Sequence, residues 1–283
     1  MTPVSESAHT SHWHGLPLLA LTLLTAALAA NPWPASAEGD DARWGQIKSA
    51  LFGDRTVQDG QNLIGLETPY RALDAAVVPV EIKALKAQTP DRFIKNLYLV
   101  IDMNPSPVAA VFHFPGVHGW NSLSTRVRVN AYTHIRAIAE TSDGGLYMAA
   151  NYVKASGGCS APSLKDPAAA QAQRGRMKLL LPDEPRVGNP ITAQILIKHP
   201  NSSGLQFDQV SRQFIPPDFV KTIAVSYRGE PLFSVDSDIS ISEDPSLRFN
   251  FIPASSGDLT VRVTDSNGHE FEERFAVAAA EAE

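Results

Sequence analysis

Short alternations of apolar and polar residues fill two blocks of the chain, separated by a stretch in which no period holds. In the first block "AVVPVEIKAL" places Val78, Val80, Ile82 and Ala84 on one face, the period-2 signature of a half-buried strand. "FIKNLYLVID" (Phe93 to Asp102) and "VAAVFHF" (Val108 to Phe114) are β-rich runs either side of the turn signal Asn104-Pro105-Ser106-Pro107. "STRVRVNAY" alternates, with Arg126, Arg128 and Asn130 on one side and Val127, Val129 and Ala131 on the other. "HIRAIAET" and "LYMAANYVK" follow, joined by a Ser-Asp-Gly-Gly turn at 142–145. This predicts six or seven short strands at sandwich-like spacing.

The second block, Met177 to Val277, repeats the pattern without repeating the residues. "ITAQILIKH", "VKTIAVSYR", "LFSVD", "SLRFNFIP", "LTVRVTD" and "FEERFAV" each alternate, and the Asn267-Gly268 pair between the last two predicts a hairpin. Ahead of both blocks, "DARWGQIKSALF" spaces Trp44, Ile47, Leu51 and Phe52 on one face of a short helix, with Asp40 or Asp41 as its cap and Gly53-Asp54 as its end. The predicted fold is all-β: two β-sandwich domains in tandem, over 38–154 and 177–283, with a short N-terminal helix. A linker over 155–176 joins them, and it carries the single cysteine, Cys159, directly after Gly157 and Gly158.

Composition narrows the function classes. The 283 residues suit one large domain or two small ones, and 43% hydrophobic content suffices for a buried core. A formal net charge of −6 gives no pull toward nucleic acid or anionic lipid. The chain has no Walker loop and no GxGxxG. Residues 1–37 are expected to be a cleaved secretory signal. "LPLLALTLLTAALAA" (Leu16 to Ala30) has the length of a signal h-region and is short for a membrane span, and Ala35-Ser36-Ala37 offers a small-x-small cleavage site. The predicted location is periplasmic, with no membrane attachment after cleavage.

Export changes how the thiol reads. One cysteine forms no internal disulfide, so an exported chain with a lone thiol suggests an intermolecular bond or a reactive group. Gly157 and Gly158 predict backbone freedom, so Cys159 is expected to be exposed on a flexible segment. Its nearest cations in sequence are Lys154 and Lys165. Other candidate chemistry is weaker. His113 and His118 ("HFPGVH") form an HxxxxH with no supporting Cys/His cluster, and His134, His199 and His269 read as ordinary polar positions. Asp236, Asp238, Glu243 and Asp244 in "SVDSDISISEDP" lack the central glycine of a calcium loop and read as a solvated loop. "GWNSLS" is not a nucleophile elbow. Arg126 and Arg128 read as a solvated or interface face, or as an anion-handling pair. No metal, cofactor or catalytic residue is predicted.

Several stretches resemble a known pair. "IKNLYLVIDMNPSPVAAVFHFPG", "LSTRVRVNAYTHIRAIAETSDGGLYMAANYVK" and "GGCS" resemble SoxY, and the run from "ITAQILIKHPNSSGLQFDQVSRQFIPPDFV" to "LTVRVTDSNGH" resembles SoxZ. These are the carrier proteins of the periplasmic sulfur-oxidation system, here fused. "WGQIKSALFGDRTVQDG" and "ALDAAVVPVEIKAL" look closer to a fused subgroup associated with quinoprotein dehydrogenases. The resemblance implies immunoglobulin-like sandwiches that pair with one another within the chain. It also implies covalent attachment of thiosulfate-type sulfur intermediates at Cys159, on an arm made flexible by Gly157 and Gly158. The protein would then be a carrier and not an enzyme, served by periplasmic sulfur-oxidation enzymes and c-type cytochromes or by a quinoprotein dehydrogenase system. A SoxY arm usually ends its chain. Here Ser160, Ala161 and Pro162 follow the cysteine, so the thiol must be presented on a loop. Two other readings stay open: an accessory docking module for a quinoprotein alcohol dehydrogenase or its cytochrome, and a thiol redox sensor.

Overall fold

The computed structural model describes residues 37–117, 120–162, 167–181 and 184–281. The signal expected over 1–37, except Ala37, lies outside them, as do His118 and Lys165. Helix α1 (Ala37–Phe52) opens the described chain, so Asp40 and Asp41 fall inside it rather than capping it. The first half then supplies β1 (Val57–Asp59), β2 (Ile64–Glu67), β3 (Val78–Ala84), β4 (Ile94–Ile101), β5 (Val108–His113), β6 (Ser122–Val127), β7 (Thr133–Thr141) and β8 (Leu146–Val153). A short helix α2 (Pro167–Ala172) lies in the connecting segment. The second half adds β9 (Met177–Leu180), β10 (Ile191–Ile197), β11 (Phe207–Asp208), β12 (Gln213–Phe214), β13 (Val220–Tyr227), β14 (Glu230–Ser237), β15 (Ser246–Phe251), β16 (Gly257–Asp265) and β17 (Glu270–Val277).

The architecture is all-β, and each half is a two-sheet sandwich, but the sheets do not stop at the boundary between halves. One nine-stranded sheet runs β1-β8-β7-β4-β5-β14-β13-β16-β17, and a six-stranded sheet runs β2-β3-β6-β15-β10-β9. The seam is made twice. β5 pairs antiparallel with β14, Phe112 opposite Val235, and β6 pairs with β15, Leu123 opposite Phe249. Four strand edges that would otherwise expose unpaired backbone groups are closed in this way. The apolar core runs across the seam too, where Phe114 stacks on Trp120 and approaches Phe233, whose ring meets Phe249 edge-on at 4.8 Å.

Local sequence explains these elements. Val78, Val80 and Ile82 of β3 are buried while Pro79 is exposed, as strict alternation requires. The loop between β13 and β14 is Arg228-Gly229, both at positive φ (55° and 86°), the backbone of a two-residue type I′ hairpin. β7 is buried almost throughout because both of its faces are covered. Ile135, Ala137 and Ala139 face the main core, while Ile138 joins Val100 and Leu146 beneath Ile47 and Phe52 of α1. The helix is also held by a polar clamp: Arg136 forks the buried Asp102 carboxylate (Nε to Oδ2 2.8 Å, Nη2 to Oδ2 2.7 Å), and its guanidinium lies 4.6 Å from the ring of Trp44.

One expected surface turns out to be buried. Asp236 is exposed as expected; from Ser237 onward the segment "SVDSDISISEDP" is not a solvated loop but the clasp between halves, with Ser240 and Ser242 buried. Ser240 Oγ donates to the Ser106 carbonyl at 2.9 Å, Ser242 Oγ to the Ala76 carbonyl at 2.7 Å, and Asp238 accepts from Ser106 Oγ at 2.7 Å. Short hydroxyls at alternate positions suit this task, because each satisfies a backbone carbonyl of the first half.

Candidate functional site

The segment after β8 carries the thiol, and the structure corrects its expected exposure. Cys159 is 0% exposed. The chain leaves β8 with Lys154, whose N–H donates to the Tyr70 carbonyl at 2.8 Å. Gly157, at φ +80°, turns the backbone so that its N–H reaches the Asn130 carbonyl and the next N–H, of Gly158, reaches the Val129 carbonyl, both at 2.9 Å. On the other side, Ser203 Oγ donates to the Cys159 carbonyl and Gln206 Nε2 to the Ala161 carbonyl at 3.0 Å. The first half therefore holds the glycines and the second half holds the residues around the thiol, so the arm is docked across the seam.

Gly157 and Gly158 were expected to provide flexibility. In the docked state Gly158 instead provides clearance: a Cβ built there would lie 2.0 Å from the Ala75 oxygen and 2.8 Å from the Val129 oxygen. Close backbone approach is the other use of a residue without a side chain.

Burial sets the chemistry of the docked thiol. It pushes the Cys159 pKa up to about 11, against the opposing pull of Arg128. A thiol of that acidity is about one part in ten thousand thiolate at pH 7, and thiolate is the nucleophile. The cation that acts on it is thus not Lys154, which lies over the Tyr70 ring, but Arg128. Arg128 was expected on a solvated or interface face and is 2% exposed. β6 ends at Val127, and beyond it the chain crosses the seam: the Arg128 N–H donates to the Ser240 carbonyl, and Nη1 donates to the Asn201 and Ile241 carbonyls, all at 2.7 Å. Its Nε is buried with no hydrogen-bond partner. Arg126 is half-buried and donates to the Asp244 carbonyl at 2.8 Å.

Sequence reasoning missed Ser203 and Gln206. Their only signal was a polar stretch, "NSSGLQ", in which Ser203 lies 44 residues beyond the cysteine. Just after it, β11 and β12 form a small ribbon whose rings, Phe207 and Phe214, meet edge-on at 5.5 Å and are both exposed.

The described histidines lie in three separate places. His113 Nδ1 meets Asn96 at 2.8 Å and its Nε2 meets Asp236 at 3.0 Å, and His134 packs edge-on against Tyr152. His199 and His269 converge with Asp218 and Asp265 where the connecting segment ends. Arg174 donates to both carboxylates, reaching Asp265 at 3.1 Å. His269 Nδ1 lies 2.8 Å from Asp265 and buried His199 Nε2 lies 3.5 Å from it. His199, Asp218 and Asp265 have donor atoms within 4.8 Å of one another, but the Arg174 guanidinium already binds both carboxylates, so a cation binding there would have to displace it. The cluster anchors the end of the connecting segment to the second half.

Burial, helped by the nearby Arg174 charge, lowers the His199 pKa to about 4 from 6.5. Unfolded chains therefore bind the extra proton between those values and folded chains do not, so stability falls as pH drops from about 6.5 toward 4. Denaturant unfolding across that range is expected to lose roughly 3 kcal/mol, and His199→Gln to flatten the loss. A wild-type curve flat between those pH values would contradict this.

Comparison with known proteins places both halves. Residues 48–159 match the family model for the sulfur oxidation protein SoxY, and residues 177–276 match that for the sulphur oxidation protein SoxZ. Among solved structures, the sulfur carrier protein SoxY from Chlorobium limicola f thiosulfatophilum is 22% identical, covering 41% of this chain and 94% of its own, with a TM-score of 0.35. A putative superoxide reductase from Thermotoga maritima is 15% identical over 35% of this chain and 92% of its own, with a TM-score of 0.30. A search of the curated proteins gave no match. The SoxY match ends on Cys159 and the SoxZ match begins just past the Arg174 anchor, so the docked arm is the junction of two familiar parts, and the chain belongs to the SoxY and SoxZ sulfur-oxidation families, fused in one polypeptide.

Proposed function

We propose that this protein carries thiosulfate-type sulfur intermediates covalently on Cys159, in the periplasm, and that partner enzymes perform the chemistry on the bound group. Membership of both families supports a carrier role in sulfur oxidation. The observation that carries the assignment to Cys159 is its position at the end of the SoxY match, on a segment held by hydrogen bonds from both halves and by no covalent cross-link. Such a segment can dock and undock without unfolding either sandwich.

Loading would join the thiol sulfur to the outer sulfur of thiosulfate. The S–H bond is lost as a proton, an S–S bond forms, and two electrons pass to an acceptor of the c-type cytochrome class, leaving Cys159–S–S–SO3⁻. The docked thiol is buried and protonated, so loading belongs to the undocked arm. The fusion keeps the SoxZ half beside the SoxY half at every stage, in place of a pairing that depends on concentration. The protein supplies attachment and presentation.

Intact mass spectrometry of protein exposed to thiosulfate and candidate oxidases is the test. The wild type is expected to gain a mass that a dithiol removes, and Cys159→Ser to gain none. If Cys159 never carries a reducible group, or Cys159→Ser leaves sulfur oxidation untouched, the carrier reading fails. An accessory docking role, in which changes near Phe207 and Phe214 damage function and Cys159→Ser does not, then takes its place.

A further inference from the structure

We propose that Arg128 holds the anionic end of a sulfur group on Cys159 whenever the arm is docked. This rests on the carrier reading for its biological setting, but its content comes from the geometry of the seam. Arg128 is 2% exposed and is fixed by two bonds from Nη1 to carbonyls of the SoxZ half, while its Nε is buried without a partner. A guanidinium cannot shed its proton to escape such a site, so the unfilled N–H is a standing cost. Cys159 docks beside it: the Gly158 N–H bonds the carbonyl of Val129, the residue after Arg128, and Ser203, two residues past the Asn201 carbonyl that Arg128 binds, holds the Cys159 carbonyl. Two groups act on Arg128 by charge, Cys159 first and Glu243 second.

With the arm empty, the sulfur is a neutral thiol and brings no charge for the guanidinium to meet. A persulfide or thiosulfonate places negative charge and acceptor atoms on the same side chain. A charge-assisted bond of this kind is about twice as strong as a neutral one. Docking therefore selects for anionic cargo over neutral groups of similar length. Arg128 acts as a positioning residue and does not itself react.

The test needs no partner enzyme. Tetrathionate converts the Cys159 thiol to –S–S–SO3⁻: the thiol sulfur bonds to one inner sulfur, the central S–S bond breaks, and thiosulfate and a proton leave. Methyl methanethiosulfonate gives –S–S–CH3 and methanesulfinate, leaving an uncharged adduct. The rate at which a dithiol removes each adduct is measured on the full-length protein, native and in urea, and the ratio gives its protection. In the wild type the anionic adduct is expected to be protected at least about tenfold more than the methyl disulfide. Arg128→Met should abolish that difference and spare the protection of the methyl adduct, while Arg128→Lys keeps part of the difference. Should Arg128→Met fail to fold, Ser203→Ala provides a second arm: it loosens docking with Arg128 in place, so protection falls for both adducts and the preference for the anion survives. Equal protection of the two adducts in the wild type, or an anionic adduct removed as fast as in urea, overturns the proposal. Failure of the carrier reading would appear separately, as the absence of any enzymatically loaded adduct, with the charge preference still measurable.

Discussion

Gly158→Ala should release the arm and expose the thiol. The added methyl would stand 2.0 Å from the Ala75 oxygen and 2.5 Å from its carbonyl carbon. Neither atom can retreat cheaply, because the Ala75 carbonyl accepts the Val129 N–H at 2.8 Å and the clash is with backbone. In the undocked arm the thiol returns toward its ordinary acidity of 9.0 from about 11, which alone gives about a hundredfold more thiolate at neutral pH. Loss of steric cover adds to that. Labelling by a maleimide or by a disulfide dye at pH 7 is the readout: slow in the wild type and faster by two orders of magnitude or more in the variant. The thermal midpoint should fall by less than in a core variant, since only the arm's own hydrogen bonds are lost while the strand pairing across the seam and both cores are untouched. Gly157→Ala is the control. Nothing lies within 4 Å of a Cβ there, and the strain comes only from its φ of +80°, worth about 1–2 kcal/mol. Equal labelling of wild type and Gly158→Ala would show that the arm is not docked in solution.

Asp265→Ala should produce the largest loss of stability. Its side chain is fully buried and accepts from Arg174 Nη1 at 3.1 Å, from the backbone N–H groups of Asn267 and His269 at 2.9 Å each, and from His269 Nδ1 at 2.8 Å. Removing it leaves the Arg174 guanidinium, whose Nε is already unpartnered, with Asp218 as its remaining carboxylate. Breaking a buried pair from one side costs about 3–5 kcal/mol, which in a protein of this size lowers the midpoint by roughly 10 °C. Asp265→Asn keeps the shape and an acceptor oxygen, so a smaller loss is expected there. A loss under about 1 kcal/mol for Asp265→Ala would mean that the cluster is not a structural anchor.

Much of the architecture is legible in the sequence because it depends on near neighbours. The face formed by Trp44, Ile47, Leu51 and Phe52, the alternation of β3 and the Asn267-Gly268 hairpin each follow from residues a few positions apart. The site is less legible because its parts meet across the seam. Arg128 reads as a surface strand residue until Asn201 and Ile241, 73 and 113 positions away, are seen to bind it. The serines of the 234–245 segment read as a solvated loop for the same reason. Cys159 is the instructive case. Gly, Ser and Pro around it give a composition that signals a mobile arm, yet one of those glycines, Gly158, permits a close backbone approach. Composition does not separate those two uses of glycine, whereas a carbonyl 2.0 Å from an imagined Cβ does.

The two ends of the arm also set a leash. Lys154 is tied beside Arg71 by a β-bridge, and only residues 155–159 separate that tie from the thiol. Fully extended, they reach about 17 Å. The path back to Arg174 is three times longer and does not limit the excursion. A chain-terminal arm can thread a narrow tunnel from its tip, whereas this one offers a short bight tethered close to the sheet. Any enzyme that serves Cys159 must therefore bring its reactive centre within a few residues' length of the carrier surface, through an opening wide enough to admit two strands of chain side by side.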